Sequence, residues 1–452
     1  MITRHILTIR KVDGSAPRKV HYRRCGNGPV LLMIHQSPRS SKEYEAQMLK
    51  WGEHFTCIAP DTAGFGQSDP LVFADGEEPH MDHFAHALCE FIEALGIAPA
   101  LTYGFHSGAI IAVSAMKQRP DLFRALALGG YAIWTQKEME IFGDKYLQPF
   151  HPSAYGEHMT WLWSRIMEQS WFFPWFDSRD VARLPNAHQD LDNAQAWADD
   201  FLDSGDAYRA GYGAVLRANR DLPTGGSEMP PGLITAYFGD PLQEHIDRLE
   251  TLPEGWEAYK VDTPQDQLDA SLEFLLQHVD GEGAGDLPED DNEGWLAIDG
   301  GLIHWKGKRG AARLILHAPA GELAEPGPDE IAIDLPGHGQ TDDFADVVAV
   351  IEQAKQDLGA SQVVYPDLPV GDPQRLYPDL TPDRYGSHFQ RAWIAARTEA
   401  FFAPWYEAKR DHATTIDQNA ITPAAIHARA VARLRAGREA AIKCHQALAS
   451  LG

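Results

Sequence analysis

Two short stretches of this chain hold residues able to do chemistry, and a third could shape their surroundings. In Gly104-Phe105-His106-Ser107-Gly108-Ala109 a histidine and a serine stand side by side among small residues. A tight strand-to-helix turn that exposes one side chain wants a small residue two positions either side of it, and Gly104 and Gly108 meet that rule around His106. With Ser107 in the exposed place, Phe105 would fill a position that wants no side chain, although Ala109 on the other side is acceptable. The frame centred on His106 fits better, and the frame centred on Ser107 stays open. A histidine so exposed can serve as general base, as covalent nucleophile or as an orienting hydrogen-bonding group. The second stretch is an apolar run ending in His35-Gln36-Ser37-Pro38-Arg39-Ser40-Ser41, and the third is the turn Asp61-Thr62-Ala63-Gly64-Phe65-Gly66-Gln67-Ser68-Asp69.

A serine nucleophile needs a base, and the histidines open to that role are His35, His106, His245, His80, His83 and His86. His83 and His86 share a helical face with Glu90, a spacing that admits a metal ion, but no HExxH-type pattern accompanies them. No metal and no cofactor is expected. Cys25, Cys57, Cys89 and Cys444 are scattered without a CxxC pair, so they read as buried or half-buried thiols.

These residues need elements to hold them. Short β-rich runs (30–34, 56–59, 100–103, 125–128, 233–238) alternate with helix-like stretches (83–95, 109–118), which predicts right-handed βαβ units and a mostly parallel sheet. Residues 134–220 break the rhythm with a helix-like, aromatic-rich stretch, read as a helical cap over the sheet edge. Trp161, Trp163, Trp171 and Trp175 are its candidate pocket residues, with the packing of the cap itself as the alternative. Residues 281–294, rich in glycine and acids, read as a linker. The 452 residues carry 39 Lys+Arg against 65 Asp+Glu, a net charge of −26. A surface so acidic repels phosphate backbones and anionic lipid, so nucleic-acid and membrane partners are set aside in favour of a small molecule, and a homo-oligomer is compatible. No stretch is long and apolar enough to span a bilayer, the first five residues lack a signal-peptide core, and a cytoplasmic location is expected.

An internal repeat runs through the chain. Asp61-Thr62-Ala63-Gly64-Phe65-Gly66-Gln67-Ser68-Asp69 returns as Asp334-Leu335-Pro336-Gly337-His338-Gly339-Gln340-Thr341-Asp342, 273 residues on. Tyr155, Gly156, His158, Trp163, Phe172, Pro174, Trp175 and Phe176 return 230 residues on as Tyr385, Gly386, His388, Trp393, Phe402, Pro404, Trp405 and Tyr406. A duplication whose second copy lacks 43 residues between core and cap accounts for both registers. The second copy is degenerate: Tyr365-Pro366-Asp367-Leu368-Pro369-Val370 stands where Tyr103-Gly104-Phe105-His106-Ser107-Gly108 stands in the first. Two related modules in one chain are expected to pack as a pseudo-two-fold pair, with their cap helices bordering one another.

In this order the three stretches resemble the α/β-hydrolase superfamily, whose patterns read HG-x-P, PD-x-x-G-x-G-x-SD and G-x-nucleophile-x-G. The first two look most like its haloalkane dehalogenase and epoxide hydrolase branch. The resemblance covers about residues 5 to 278 and, more weakly, 295 to 450. It implies an α/β fold with a hydrolase core over 1–133 and 221–280, a helical cap over 134–220 and the linker over 281–294. A degenerate second core over 295–384 and a second cap-like segment over 385–452 would follow. It also implies an oxyanion hole from the backbone N–H groups of Ser37 and Ser107. Gln36 replaces the usual glycine, either donating to a substrate carbonyl or filling space. The family's acid matches Asp240 in Gly239-Asp240-Pro241, where a turn or helix-cap aspartate is the plainer alternative. The family's catalytic histidine has no match, because the corresponding stretch reads Trp256-Glu257-Ala258-Tyr259-Lys260-Val261-Asp262-Thr263-Pro264 and Asp262 fits a solvated loop. A Ser-His-Asp triad cannot be assembled from the standard positions. The expectation is a hydrolase or lyase acting on a small, largely apolar substrate, with His106, Ser107, Asp240 and His35 as candidate catalytic residues. Its alternative is a relative that binds a small molecule without catalysis.

Overall fold

The computed structural model describes residues 1–10, 16–185, 188–218, 220, 222, 229–281 and 283–451, without the side chains of residues 143 and 144. Residues 219, 221 and 223–228, at the expected junction of cap and core, and residue 282 of the expected linker lie outside the described residues. The chain divides into two compact units, Met1–Phe150 with Ile166–His188 and Ala196–Glu289, and His151–Arg165 with Gln189–Gln195 and Asp290–Gly452. The division between Glu289 and Asp290 falls inside the acidic stretch. The stretch expected as one continuous cap is instead shared: residues 151–165 and 189–195 count with the second unit.

The first unit is built on eight strands: β1 (Thr3–Ile9), β2 (Arg18–Cys25), β3 (Val30–Ile34), β4 (Thr56–Pro60), β5 (Ala100–Phe105), β6 (Phe123–Gly129), β7 (Gly232–Tyr237) and β8 (Trp256–Val261). They lie in the order β1-β2-β4-β3-β5-β6-β7-β8, antiparallel as far as β4 and parallel from there on. Every residue of β4 is buried, as strands covered on both faces require. The helices are α1 (Glu45–Trp51), α2 (Met81–Leu95), α3 (Ser107–Gln118), α4 (Gln136–Tyr146), α5 (Glu157–Gln169), α6 (Leu191–Ser204), α7 (Tyr208–Arg217) and α8 (Pro264–Gln277), of which α5 and α6 each belong in part to the second unit. On one face of the sheet, Phe84, Leu88 and Ile92 of α2 and Ile110, Ile111 and Val113 of α3 meet Leu32, Ile34 and Leu126 in one apolar cluster. The core thus clamps α3 and fixes the turn between β5 and α3. Among the described residues no helix is long and apolar enough to cross a membrane.

The second unit has five strands: β9 (Glu293–Ile298), β10 (Gly301–Gly307), β11 (Arg313–Leu316), β12 (Glu330–Ile333) and β13 (Gln362–Val364). Their order, β9-β10-β12-β11-β13, and their directions repeat those of β1-β2-β4-β3-β5 strand for strand. The helices are α9 (Val347–Leu358), α10 (Pro373–Leu376), α11 (Ser387–Thr398) and α12 (Pro423–Ala449), the last being two helical runs that meet at Gly437 with φ 64°. Like α2, which ends on Gly96 at φ 66°, α9 ends on a left-handed glycine, Gly359 at φ 77°. After β13 no helix corresponds to α3. Cys444 and Leu448 from the end of α12 join Val347, Ile351 and Leu314 in the apolar cluster, so the last helix helps to cover a face that would otherwise meet water.

Within this unit the segments 151–165 and 384–397 meet through matched contacts. The Trp393 ring lies where a Cβ on Gly156 would be, and the Trp163 ring where a Cβ on Gly386 would be. His158 packs edge-on to Trp393 at 5.1 Å and His388 edge-on to Trp163 at 4.9 Å. Trp163 Nε1–H donates to the Arg384 carbonyl (3.3 Å) and Arg397 to the Ala154 carbonyl (3.2 Å), two carbonyls that are themselves 230 residues apart.

Candidate active site

Backbone geometry selects between the two frames of the turn. His106 has φ 49° and ψ −110°, a strained conformation for a residue with a side chain, and it stands between the end of β5 and the first residue of α3. Both flanking glycines are required by close approach. A Cβ on Gly108 would lie 2.0 Å from the Ile34 carbonyl oxygen, and one on Gly104 would lie 2.8 Å from that of Gly108. His106 N–H donates to the Gly129 carbonyl (2.7 Å), and the His106 carbonyl accepts from Ala109 N–H (3.0 Å).

The ring of His106 stacks on Phe105 at 4.0 Å and passes so close to Gly130 that a Cβ there would fall 2.4 Å from His106 Cδ2. Its Nε2–H donates to Asp240, 2.9 Å from Oδ2 and 3.1 Å from Oδ1. The Asp240 side chain has no exposed surface, whereas that of His106 is 23 % exposed. β7 ends at Tyr237, Gly239 turns the chain at φ 96°, and Leu242 N–H donates to Asp240 Oδ1 (2.7 Å), which holds the carboxylate in place. With the proton on Nε2 facing a carboxylate, the neutral ring carries its lone pair on Nδ1. Nδ1 has no partner among the described residues.

Ser107, the other candidate in the turn, lies against the loop after β3. The N–H of Ser37 donates to Ser107 Oγ at 2.5 Å. This corrects the expected oxyanion hole: one of its two amides is occupied by a hydroxyl of the protein itself. No histidine is hydrogen-bonded to Ser107 Oγ among the described residues, so the serine lacks the base that a nucleophilic role requires.

The further candidates are held in structural roles. His35 is 1 % exposed, donates from Nδ1 to the Gln36 carbonyl (2.9 Å) and accepts Thr62 N–H on Nε2 (2.9 Å), so no lone pair is left for catalysis. Gln36 donates from both its backbone N–H (2.8 Å) and Nε2 (3.0 Å) to Glu43, which draws its amide toward that carboxylate. Burial pushes the Glu43 carboxyl above its ordinary value against the opposing charge of Arg39. His245 accepts Ile133 N–H on Nδ1 (2.8 Å) and packs edge-on to Trp134, and burial brings it down to about 4, neutral at ordinary pH. His83 Nδ1 accepts from His80 N–H (3.1 Å) at the start of α2, and His86 lies 3.4 Å from Glu90, leaving these histidines at a helix end. Where the family's histidine would stand, Thr263 caps α8 instead and Asp262 is exposed.

The four cap tryptophans do not gather. Trp163 is buried against His388 and Phe389 within the second unit, Trp171 donates to the His188 carbonyl (2.9 Å), Trp175 packs edge-on to Phe176, and Trp161 is half-buried in the 151–165 segment. The aromatic cluster of the first unit is formed instead by Trp134, Phe142, Tyr146, Phe173, Phe176 and Tyr212, with Trp134 edge-on to His245. Sequence reasoning also passed over Arg39, whose Nε–H donates to the buried Asp200 of α6 (2.6 Å) beside Ser40 Oγ (2.6 Å), with the guanidinium over Trp197. The local signal was the Pro38-Arg39-Ser40 run after the β3 loop; its partner lies 161 residues away.

Comparison with known proteins finds likenesses over part of the chain. Residues 29–141 match the family model of the alpha/beta hydrolase fold. Haloalkane dehalogenase 2 of Mycobacterium tuberculosis is 31 % identical over 120 residues, 26 % of this chain and 41 % of the relative. The (E)-2-((N-methylformamido)methylene)succinate hydrolase of Acinetobacter baylyi is 29 % identical over 111 residues, 25 % of this chain and 41 % of the relative. The chain thus spans about two fifths of the length of these curated relatives. Among solved structures, a thermophilic esterase from Thermogutta terrifontis (TM-score 0.43, 17 % identity) covers 61 % of this chain and 99 % of its own. An epoxide hydrolase from Vigna radiata (TM-score 0.45, 16 % identity) covers 61 % and 98 %.

Proposed function

We propose that this member of the α/β-hydrolase superfamily is a hydrolase or lyase acting on a small, largely apolar substrate, with His106 as general base. The observation that carries the reading is His106 itself: a histidine in the strained turn, its Nε2–H held by the buried Asp240, its Nδ1 lone pair unpartnered. Asp240 fixes the ring and stabilises the imidazolium that forms when Nδ1 takes a proton. With no hydroxyl bonded to the base, the proton comes from a water or from the substrate. In the hydrolytic case the water gives one proton to Nδ1 while its oxygen bonds to the electrophilic carbon, the C–O or C–halogen bond breaks with its electron pair on the leaving atom, and the imidazolium returns its proton to a leaving alkoxide or to water, without a covalent enzyme intermediate. The aromatic cluster around Trp134 and Tyr146 supports an apolar substrate, and relatives named dehalogenase and hydrolase are in keeping with the reaction class.

A second reading, a binding protein that has lost catalysis, draws on one observation: the Ser37 amide already bonded to Ser107 Oγ. Release of alcohol, acid or halide from esters, lactones, epoxides and haloalkanes decides between them, measured with wild type, His106→Ala and Ser107→Ala. Turnover lost with His106→Ala supports the enzyme; no turnover by wild type on any of the panel transfers the weight to binding.

We further propose that the chain is a duplication whose second copy has kept the five-stranded half of the core and lost the catalytic turn. Supporting this are the repeated strand order, the two constant sequence offsets and the matched contacts of Gly156 with Trp393 and Gly386 with Trp163. Such reciprocity is what two copies of one surface give when they meet about a two-fold axis.

A further inference from the structure

We propose that Cys25 and Cys57 are a peroxide-sensitive thiol pair that closes to an intrachain disulfide across β2 and β4, with a small hydroperoxide as the oxidant. The pair stands apart from His106 and does not depend on the reading of that residue.

The two cysteines are far apart in sequence, yet they are direct partners in an antiparallel ladder: Cys25 ends β2 and faces Cys57, the second residue of β4. Such partners point to the same face of a sheet with Cα atoms about 4.5 to 5.5 Å apart, and a disulfide spans about 4.4 to 6.8 Å, so the bond can close without moving either strand as a body. Both thiols are free, and both enter one apolar cluster with Met48 and Trp51 of α1. The other two cysteines are placed differently. Cys89 Sγ–H donates to the Ala115 carbonyl (3.7 Å) and Cys444 Sγ–H to the Pro336 carbonyl (3.4 Å), whereas neither Cys25 nor Cys57 has a hydrogen-bond partner among the described residues.

Access divides the work between the two thiols. Cys25 lines a surface depression of about 540 Å³ with Thr3, Arg24, Leu49 and Gly52, and a Cβ on Gly52 would fall 3.1 Å from Cys25 Sγ. Cys57 has no exposed surface, and burial, together with the neighbouring Cys25, pushes its thiol up to about 12. The thiolate is the attacking form, so Cys25 reacts first and Cys57 resolves. The Cys25 thiolate bonds to one peroxide oxygen, and the O–O bond breaks with its electron pair on the other oxygen. That oxygen takes up the proton the thiol released and leaves as water or an alcohol, while Cys25 becomes a sulfenic acid. The Cys57 sulfur then bonds to Cys25 Sγ, the S–O bond breaks with its pair on oxygen, and the departing hydroxide takes the Cys57 proton to leave as water. The two thiols give up two electrons and two protons, and the hydroperoxide is reduced by the same two electrons.

The rival explanation is that both are inert packing thiols. The test exposes the full-length native protein to hydrogen peroxide, counts thiols after denaturation and maps peptides by mass spectrometry. Expected are the loss of two of the four thiols, their return with dithiothreitol, and joined peptides carrying Cys25 and Cys57. Cys57→Ser should leave Cys25 at the sulfenic acid, which dimedone traps, and Cys25→Ser should leave Cys57 with at least about tenfold less dimedone label than Cys25 takes. Four thiols remaining after exposure overturn the proposal, as does a pairing that includes Cys89 or Cys444 or one that forms only in urea. Equal labelling of the two single variants overturns the order of the steps. The wild-type thiol count and peptide map need neither variant, so failure of a variant to fold leaves the proposal open to refutation.

Discussion

The turns after β4 and β12 are wired alike, although only the first belongs to the sheet that carries the proposed site at His106 and Asp240. Asp61 receives His21 Nδ1–H (2.8 Å) and Gln67 N–H (2.9 Å); Asp334 receives His304 Nδ1–H (2.8 Å) and Gln340 N–H (3.0 Å). His21 N–H donates to Ser68 Oγ and His304 N–H to Thr341 Oγ1, while His35 and His317 each accept the N–H that follows the aspartate, from Thr62 and Leu335. A Cβ on Gly66 would lie 2.1 Å from Asp61 Oδ2 and one on Gly339 2.3 Å from Asp334 Oδ1, so the same close approach excludes side chains in both. The two sheets part company after the fifth strand, where the first turns through His106 into α3 and the second continues as Tyr365-Pro366. The difference separates two jobs: the aspartate turn holds a sheet together in both units, and the chemistry we propose falls to the His106 turn, which the second unit does not repeat among the described residues.

The largest effect should follow from breaking the feature found on one side alone. His106→Ala is expected to reduce turnover by about 10³-fold or more, since general-base catalysis contributes on the order of 10² to 10⁴ and the site holds no second free base among the described residues. Asp240→Asn, which keeps the size but not the charge, should cost about 10²-fold in kcat with KM little changed. Full activity in either variant, measured on whichever substrate the panel identifies, would sink the assignment.

Next come the shared turns. Asp61 is fully enclosed and also receives Ser41 N–H (2.8 Å) and Ser41 Oγ–H (2.5 Å), for which Asp334 has no counterpart among the described residues. Burial alone would raise the Asp61 carboxyl, but the charge and hydrogen bond of His21 hold it far below its ordinary value. Removing one partner of such a buried pair costs about 3 to 5 kcal/mol. Asp61→Ala should therefore destabilise more than Asp334→Ala, each loosening its own sheet first. Hydrogen exchange would show early opening of β2 and β4 in one variant and of β10 and β12 in the other. Equal loss of protection in both sheets from either substitution would mean that the turns do not stabilise their sheets locally.

Much of this was legible in the sequence because it is local. The runs at 30–34, 56–59, 100–103, 125–128 and 233–238 correspond to β3 to β7, and the spacing of Gly104 and Gly108 already favoured His106 over Ser107. What was not legible is what a side chain does with its second hydrogen bond. His35 has the right type and place for a base, yet its lone pair is taken by a backbone N–H 27 residues away. The Ser37 amide reads as an open donor until Ser107 Oγ is seen against it, and the four tryptophans read as one pocket because nearness in sequence does not say which unit a helix packs with.

The contacts of the 151–165 and 384–397 segments sharpen the comparison at the level of packing. Gly156 and Gly386 have φ 83° and 69°, and each is pressed by the tryptophan of the other segment. Gly156→Ala and Gly386→Ala should each cost about 1 to 3 kcal/mol, from backbone strain and overpacking together. The reciprocity predicts which second substitution relieves which first: Trp393→Leu should couple with Gly156→Ala, and Trp163→Leu with Gly386→Ala, while the crossed pairs add independently. Double-mutant cycles by denaturant unfolding measure this, and coupling in the crossed pairs would show that the contacts are not symmetric.

The smallest effect concerns charge on the matched histidines. Burial lowers His21 against the charge and hydrogen bond of Asp61; burial also acts on His304, but hydrogen bonds to Asp334 and Glu293 (3.2 Å) outweigh it and raise His304 above its ordinary value. A histidine raised on folding contributes stability that is complete below its unfolded value of 6.5 and is lost as pH rises through the folded value. The second carboxylate is the difference, so Glu293→Gln should make His304 resemble His21. The variant is expected to be less stable than wild type by about 1 kcal/mol on the acid side of neutrality, with the gap closing as pH rises. Urea unfolding of wild type and variant across that range reads the gap directly. A constant gap would mean that Glu293 contributes through packing alone, and a gap widening with pH would mean that His304 is held neutral, as His21 is.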